Sequence, residues 1–569
     1  MSRHKPRRSI RAVWIIPILA IVTLALGTNG WMDHGFGPAT SFYRAVCLFD
    51  AGNGYYTDQI VAADWRFQVG RWTGLGVVFS AAIAALGALL RERLVLGVAR
   101  YLRQQVVVVG SEGLATKAYE EARYVGKSVA WLGAEALGVD SIDAIALPWP
   151  PQDHVTTVLE YSQRADHVLI AAADDAEALS MVRAARVTAP GAFITAIMRD
   201  ERLAEDAAAT LNQPRTRVMS GAAIAARRLN HMHPPFLLAQ EKEQTRVHAV
   251  IIGFGQTGQA IARDLIVNCR TTYLEMPAVT IIDPRAEALE GVLKARVPEL
   301  DECAHFTFIT GQVGTESVTP DPGVMAKAVA DVGPLTAAYV CLRSDASALG
   351  AAAMLQSVLR RQNVRHPDIF IRLRDSNTVG DGIGGKGLDA LIPFGDLDEV
   401  LSASEFLSSA PDAAARAFSD AYRASLTPQQ RDDLTNNAAR PWDSLNETFR
   451  QANRDAVAHI AAKLSSAGIP QELWRGLDGL PRLNAEHPLF ANEAECEALA
   501  RLEHERWNAQ RRMDGWRLTR QPKKDEVMRR HPSLLPYDAL SEEVKEFDRI
   551  YVRETQAILM KAAGAKRRR

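Results

Sequence analysis

Gly253, Gly255 and Gly258 stand at the spacing G-x-G-x-x-G, directly after the apolar run 247–252 and directly before a helix-like stretch at 259–265. A second β-branched run, 279–282, follows and ends at Asp283. Together these residue types suit one chemistry, the grip on a pyrophosphate-linked nucleotide. The first glycine permits a tight turn, the second lets backbone amides approach the phosphates, and the third lets helix and strand pack closely. The start of the helix supplies oriented N–H donors. Asp283 is placed to accept from ribose hydroxyls, while its neighbour Arg285 would suit a 2′-phosphate, so NAD and NADP both stay open. The expected ligand is NAD(H) or another adenine nucleotide. Later strands at 337–342 and 368–373 end near Asp345 and Asp375, facing the same crevice. No Tyr-x-x-x-Lys pair or His/Asp relay follows the fingerprint, so no catalytic residue is assigned and the chain is expected not to be an enzyme.

A second group lies near the other end: Glu503-His504-Glu505-Arg506-Trp507, Gly515-Trp516, and the run from His531-Pro532 to Pro536-Tyr537-Asp538. Arg501, Arg506, Arg511 and Arg512 crowd one helical element beside two tryptophans. Guanidinium groups bind phosphate, and indoles stack on a base. Arg506, Trp507 and Trp516 are therefore candidate ligand residues. The alternative is that both tryptophans are core and Glu503–Arg506 is a surface ion pair at i,i+3. The order L-x-H-x-x-W, G-W, H-P-x-L-x-P-Y-x-x-L resembles the ryanodine-receptor repeat (RyR) domain, a small all-helical module. The resemblance runs from about 441 to 559 and includes Trp442, Leu445, Phe449, Asn453 and Arg454 in a first helical region and 495–513 in a second.

The elements that must position these groups begin at a membrane. Residues 12–27 are almost wholly apolar and extend to Trp31 through small residues; 72–90 is a second apolar run. A spanning helix needs about 20 residues. Arg3, Lys5, Arg7, Arg8 and Arg11 precede the first run, and Arg91, Arg93, Arg100 and Arg103 follow the second. By the positive-inside rule both chain ends are cytoplasmic, in a multi-pass inner-membrane protein. A cleaved signal peptide is the competing reading of the first run. The loop between the runs has amphipathic pieces at 41–49 and 64–71. It lacks the T-x-G-Y-G filter of potassium channels; Gly52-Asn53-Gly54-Tyr55-Tyr56 only echoes it.

Behind the membrane, β-branched runs at 105–110, 128–132, 167–172 and 192–198 alternate with helical stretches, which means a parallel α/β sheet. Its first turn keeps Gly110 and Gly113 without a third glycine at fingerprint spacing. Whether this unit binds a ligand or is structural stays open. Two such units behind membrane helices resemble the RCK/TrkA-N family, regulatory domains of potassium channels and transporters. The resemblance covers roughly 104–400. It implies binding of NAD(H), adenine nucleotides or ions, and a homo-oligomer that passes a conformational change to a membrane partner. Only Gly253, Gly255, Gly258 and Asp283 carry over.

Composition excludes other classes. With 569 residues and 47% hydrophobic residues, the chain can build several cores. A formal net charge of −1 argues against nucleic acid as a partner. The five cysteines, Cys47, Cys269, Cys303, Cys341 and Cys496, form no C-x-x-C pair, so no metal site is expected. His231-Met232-His233 precedes Pro234-Pro235 and reads as a loop. The Gly-rich stretch 380–387 lacks P-loop spacing, and 411–425 and 428–437 read as exposed connector helices.

The fold class is thus α/β: a membrane module (1–103, helices at about 12–31 and 72–90), a degenerate Rossmann/RCK-like domain (104–240), a Rossmann/RCK domain (245–400), a helical linker (401–439) and an all-α RyR domain (440–560). The function expected is a membrane-anchored, nucleotide-responsive sensor or effector, channel-like or regulating ion flux. Its partners are the lipid bilayer, a nucleotide and further copies of itself. A tethered NAD(P)-dependent oxidoreductase and a non-conducting subunit of a potassium transporter are the alternatives.

Overall fold

The computed structural model describes residues 15–50, 64–101, 105–110, 113–133, 144–145, 162–172, 174–211, 215–313, 318–319, 331–361, 367–373, 391–395, 406–407, 412–433, 436–445, 447–475 and 492–567. Packing divides the chain into two compact units, Met1–Tyr101 and Leu102–Arg569.

The first unit contains helices α1 (Ile15–Asp33), α2 (Pro38–Val46) and α3 (Trp65–Tyr101). Two stretches, Ile16–Asp33 and Trp65–Leu86, are long and apolar enough to cross a membrane. A core helix of a soluble protein would bury such side chains, but Ile18, Ile21, Trp72, Phe79 and Ile83 are exposed. Small and polar groups fill the contact between α1 and α3: the Thr23 and Thr73 hydroxyls meet at 2.7 Å. Gly27 and Gly74 lie against Leu48, and Gly30 against Phe67. Small residues allow such close approach of two helices. The second apolar stretch begins seven residues before the expected Trp72. The reason is local: the backbone N–H of Arg66 donates to Asp64 Oδ1 at 2.9 Å, which starts the helix at Trp65 and absorbs the expected piece 64–71. The piece at 41–49 is present as α2 and a following 3₁₀ turn, Cys47–Phe49. The basic segment 1–11 and the filter-like residues 52–56 lie outside the described residues.

The second unit holds two parallel six-stranded sheets. The first contains β1 (Val106–Val109), β2 (Val129–Leu132), β3 (Ala144–Ile145), β4 (His167–Ile170), β5 (Phe193–Met198) and β6 (Thr216–Ser220). Helices α4 (Gly113–Tyr124), α5 (Asp175–Thr188) and α6 (Glu201–Leu211) connect them; α7 (Gly221–Met232) and α8 (Pro235–Glu241) follow. The second sheet contains β7 (His248–Ile252), β8 (Ala278–Asp283), β9 (His305–Thr310), β10 (Ala337–Val340), β11 (Asp368–Arg372) and β12 (Leu391–Phe394), with α9 (Gln256–Asn268), α10 (Ala286–Arg296) and α11 (Asp345–Arg361). The strand orders are β3-β2-β1-β4-β5-β6 and β12-β11-β10-β7-β8-β9. Each is the 3-2-1-4-5-6 order of a doubly wound dinucleotide-binding fold, with its switch point between the first and fourth strands. Valine and isoleucine runs suit these positions because both sheet faces are covered: β1, β7 and β8 are buried at every residue.

The remaining helices are α12 (Ala413–Ser425), α13 (Pro428–Asp432), α14 (Glu447–Ala458), α15 (Ile460–Ser466), α16 (Gln471–Trp474), α17 (Glu493–Met513) and α18 (Glu542–Arg567). Arg517–Leu518 and Arg530–His531 pair as two short parallel strands between the last two. These helices are not appended to the sheets. Ile460, Leu464, Trp474, Ala509 and Met513 share one core with Ile261 and Leu265 of α9 and with β7, β8 and β10. α11 closes the opposite face of the second sheet.

Two expectations are corrected. α12 is not an exposed connector: Phe418 is fully buried and stacks on Tyr551 at 5.2 Å, and burying a Phe contributes about 1.5–3 kcal/mol. α13 does stay on the surface, held by a capping box between Thr427 and Gln430. His231 and Met232 are the last turn of α7 rather than loop, and no metal-ligating group forms among the described residues. Residues 380–387 lie outside the described set.

Candidate functional site

The glycine loop 253–258 leaves the carboxyl end of β7, beside the end of β10, at the switch point of the second sheet. Its three glycines are in three different situations. Gly253 has φ +87°, and a Cβ there would meet Leu342 Cδ2 at 2.8 Å and Cys341 O at 3.2 Å. A Cβ on Gly258 would meet Gly253 O at 2.5 Å, so this glycine lets α9 close onto the loop. Gly255 has nothing within 4 Å of the Cβ position. The closed positions serve the fold, and the open one leaves room for a phosphate against backbone. α9 starts at Gln256 with Gly255 as its cap residue and no side chain on its first N–H groups. Free donors at the positive end of a helix dipole favour an anion.

Asp283 ends β8 at the rim of this loop, buried to 6% exposure. Its Oδ2 accepts from the Phe254 N–H and its Oδ1 from the Arg285 N–H, each at 2.9 Å. These bonds fix the carboxylate next to the glycine loop, and each oxygen keeps a further lone pair for a ribose hydroxyl. The Arg285 side chain is exposed. The structure thus brings Gly253, Gly255, Gly258 and Asp283 to one place, and their geometry suits a dinucleotide.

The first sheet lacks the equivalent acid. β1 and β2 align Val109 with Leu132, as β7 and β8 align Ile252 with Ile282, so Gly133 takes the place of Asp283. A Cβ on Gly133 would lie 2.1 Å from Gly110 O, which leaves no space for a side chain. The same carbonyl accepts from the Trp131 indole N–H at 3.0 Å.

The C-terminal candidates are only partly together. Arg506 is 2% exposed and faces inward: it donates to Glu503 Oε1 at 2.8 and 3.1 Å and to Gln510 Oε1 at 3.1 Å. Lys463 Nζ lies 2.6 Å from Glu503 Oε2, and His459 Nδ1 lies 3.7 Å from it. The i,i+3 pair that the alternative reading put on the surface is therefore the centre of a buried cluster. Burial alone would raise the Glu503 pKa, but Arg506 and Lys463 hold it well below the carboxylate range. Burial pushes the Lys463 pKa down and takes that of His459 to about 4. Arg506 is bonded within α17, where it backs the Glu503 that pairs with Lys463 of α15, and is not positioned to meet a ligand.

Arg511 is the guanidinium beside the tryptophans. Its Cζ lies 5.2 Å from the Trp516 ring, 5.8 Å from Trp507 and 5.6 Å from Phe449. Its Nε and Nη1 are buried and make no hydrogen bond among the described residues. Trp507 is half-buried between His504 and His531, with ring centroids at 5.5 and 4.9 Å. Trp516 is 7% exposed and lines a cavity. The sequence signal for Arg511 was its i,i+4 spacing from Trp507, which puts both on one helix face.

No curated protein matches the chain. Among solved structures, the GsuK channel bound to NAD is 12% identical over 70% of this chain and 84% of its own, with a TM-score of 0.36. The GsuK RCK domain is 11% identical over 53% of this chain and 77% of its own, with a TM-score of 0.34. A dipicolinate synthase chain from Bacillus halodurans is 12% identical over 53% of this chain and 94% of its own, with a TM-score of 0.21. Residues 491–565, which contain α17, the short strand pair and nearly all of α18, match the family model of the RyR domain.

Proposed function

We propose that this chain is a membrane-anchored sensor that binds NAD(H) or another adenine nucleotide at 253–258 and acts on ion flux, as a channel-like protein or as a regulator of one. One observation carries the nucleotide reading: Gly253 and Gly258 are closed by their neighbours while Gly255 is open over an uncapped helix start, with Asp283 fixed beside it. The two apolar helices with outward-facing side chains support the anchor. The reading is of a binding protein rather than an enzyme, in the inner membrane with both termini cytoplasmic, working as a homo-oligomer. Its RyR domain receives a second signal. A ligand drives such an output only if it binds the two states unequally.

The test is titration of the full-length protein in detergent with NADH, NADPH, ATP and ADP, for wild type and Asp283→Ala. Loss of a charged hydrogen-bond partner costs about 1.5–3 kcal/mol, or roughly tenfold to a hundredfold in affinity. Liposome flux with and without the tightest ligand then reads the output. Wild-type protein that binds none of the four nucleotides would overturn the reading.

A further inference from the structure

We infer that a second ligand site lies between the first Rossmann sheet and the C-terminal helices, and that it takes a phosphorylated aromatic molecule of the purine mononucleotide class. A cavity of about 230 Å³ opens there. One wall is β6 and the first two turns of α7, with Arg217, Ser220 and Arg227; a second is α6, with Glu201 and Asp206. The facing wall comes from α14 and the turn after α17, with Phe449, Arg454, Asp514 and Trp516. β6 is the edge strand of its sheet, and it lines the cavity from Arg217 to Ser220.

The charges around the cavity are unevenly satisfied. Asp206 pairs with Arg529 at 3.3 Å, Asp514 with Arg263 at 2.9 Å and Glu526 with Lys524 at 2.9 Å. Glu447 holds Arg454 and, at 3.4 Å, Arg450. Burial raises the pKa of Glu201, the fifth carboxyl, against the opposing pull of Arg263 and Arg227. On the cationic side, the buried Nε of Arg227 has no hydrogen-bond partner among the described residues. That guanidinium calls for an anion on the sheet side. Across the cavity, Phe449 and Trp516 offer aromatic surface, and the Arg511 guanidinium packed on both rings holds them in place. An anion on one side and a flat ring on the other, with paired carboxylates between to accept from amino or hydroxyl groups, match a purine nucleoside phosphate.

The inference rests on the sensor reading above for its biological sense, since it places the signal that the RyR domain receives, but its test does not depend on the loop at 253–258. Full-length protein in detergent is titrated calorimetrically with AMP and GMP while saturating NAD occupies the other site. Arg227→Gln, Arg227→Lys and Phe449→Leu are compared with wild type, and thermal midpoints report folding. The expected result is one mononucleotide per chain in the NAD-saturated protein. Arg227→Gln should weaken it tenfold or more and Arg227→Lys less. Phe449→Leu, which keeps apolar volume but removes the stacking face, should weaken it severalfold. Should NAD fail to bind while AMP or GMP binding still depends on Arg227, the dinucleotide reading falls and this site stands. Absence of mononucleotide binding to wild type, or wild-type affinity in both folded Arg227→Gln and Phe449→Leu, would overturn it.

Discussion

Gln256 Nε2 donates to Asp200 Oδ2 at 2.9 Å, joining the first residue of the helix behind the glycine loop to the residue before α6. The other oxygen of Asp200 accepts from the Leu203 N–H at 2.8 Å and so caps that helix. The Asp200 N–H is itself held by Asp175 Oδ2 at 2.8 Å. One carboxylate therefore serves the start of α6 and the start of α9, behind the glycine loop, together.

That carboxylate would oppose a pyrophosphate bound at the start of α9. Asp200→Asn keeps an oxygen for the cap and removes the charge. NADH should bind the variant more tightly, by up to about 1 kcal/mol, or roughly fivefold. Fluorescence titration of NADH checks this; unchanged affinity would mean the contact is only mechanical.

The glycines separate fold from binding. Gly255→Ala adds a methyl where nothing lies within 4 Å, at a φ of −75° that alanine tolerates. It should leave the melting temperature unchanged and weaken NADH binding. Gly258→Ala puts a Cβ 2.5 Å from a carbonyl oxygen, and overpacking of this kind costs about 1–3 kcal/mol. Melting curves beside NADH titrations distinguish the two variants.

Glu503→Gln leaves Lys463 and Arg506 buried without their counter-charge. Breaking a buried pair from one side costs about 3–5 kcal/mol. Denaturant unfolding of the variant should show that loss, whereas a surface pair would show about 1 kcal/mol or less.

Stability should also fall with acid. His459 is held neutral by burial, with its pKa taken from 6.5 to about 4, and burial takes that of His531 to about 3. A depressed folded pKa means the unfolded chain binds more protons below pH 6.5. Stability is then full above that value and is lost as pH falls toward 4 and 3. For His459 the depression corresponds to about 3 kcal/mol by pH 4. Melting temperatures between pH 7.5 and 4.5 test this. His459→Gln should flatten the slope, and an unchanged slope would place the dependence elsewhere.

Strands with unbroken β-branched runs, such as β1 and β7, were legible in the sequence because burial on both faces demands that composition. β12 was not, since Pro393 argues against a strand; it is tolerated here because β12 lies at the sheet edge. β3 is two residues long and carries no pattern. The glycine loop was legible because its spacing is local. The choice between Arg506 and Arg511 was not, because both sit on one helix and only the packing of α14 and α15 decides which faces the aromatic rings. The Gln256–Asp200 bond joins residues 56 apart and leaves no local trace.

The core that α15, α16 and α17 share with α9 and the second sheet has a consequence for inheritance. A chain cut before residue 440 would present Ile261 and Leu265 to water, and a C-terminal piece alone would present Ile460, Leu464 and Met513. Neither half carries a finished surface. Gene fusions that shuffle self-contained modules could not have exchanged these two parts freely: a new partner for either would have had to bring a matching apolar face. The pair should therefore travel as one block through recombination.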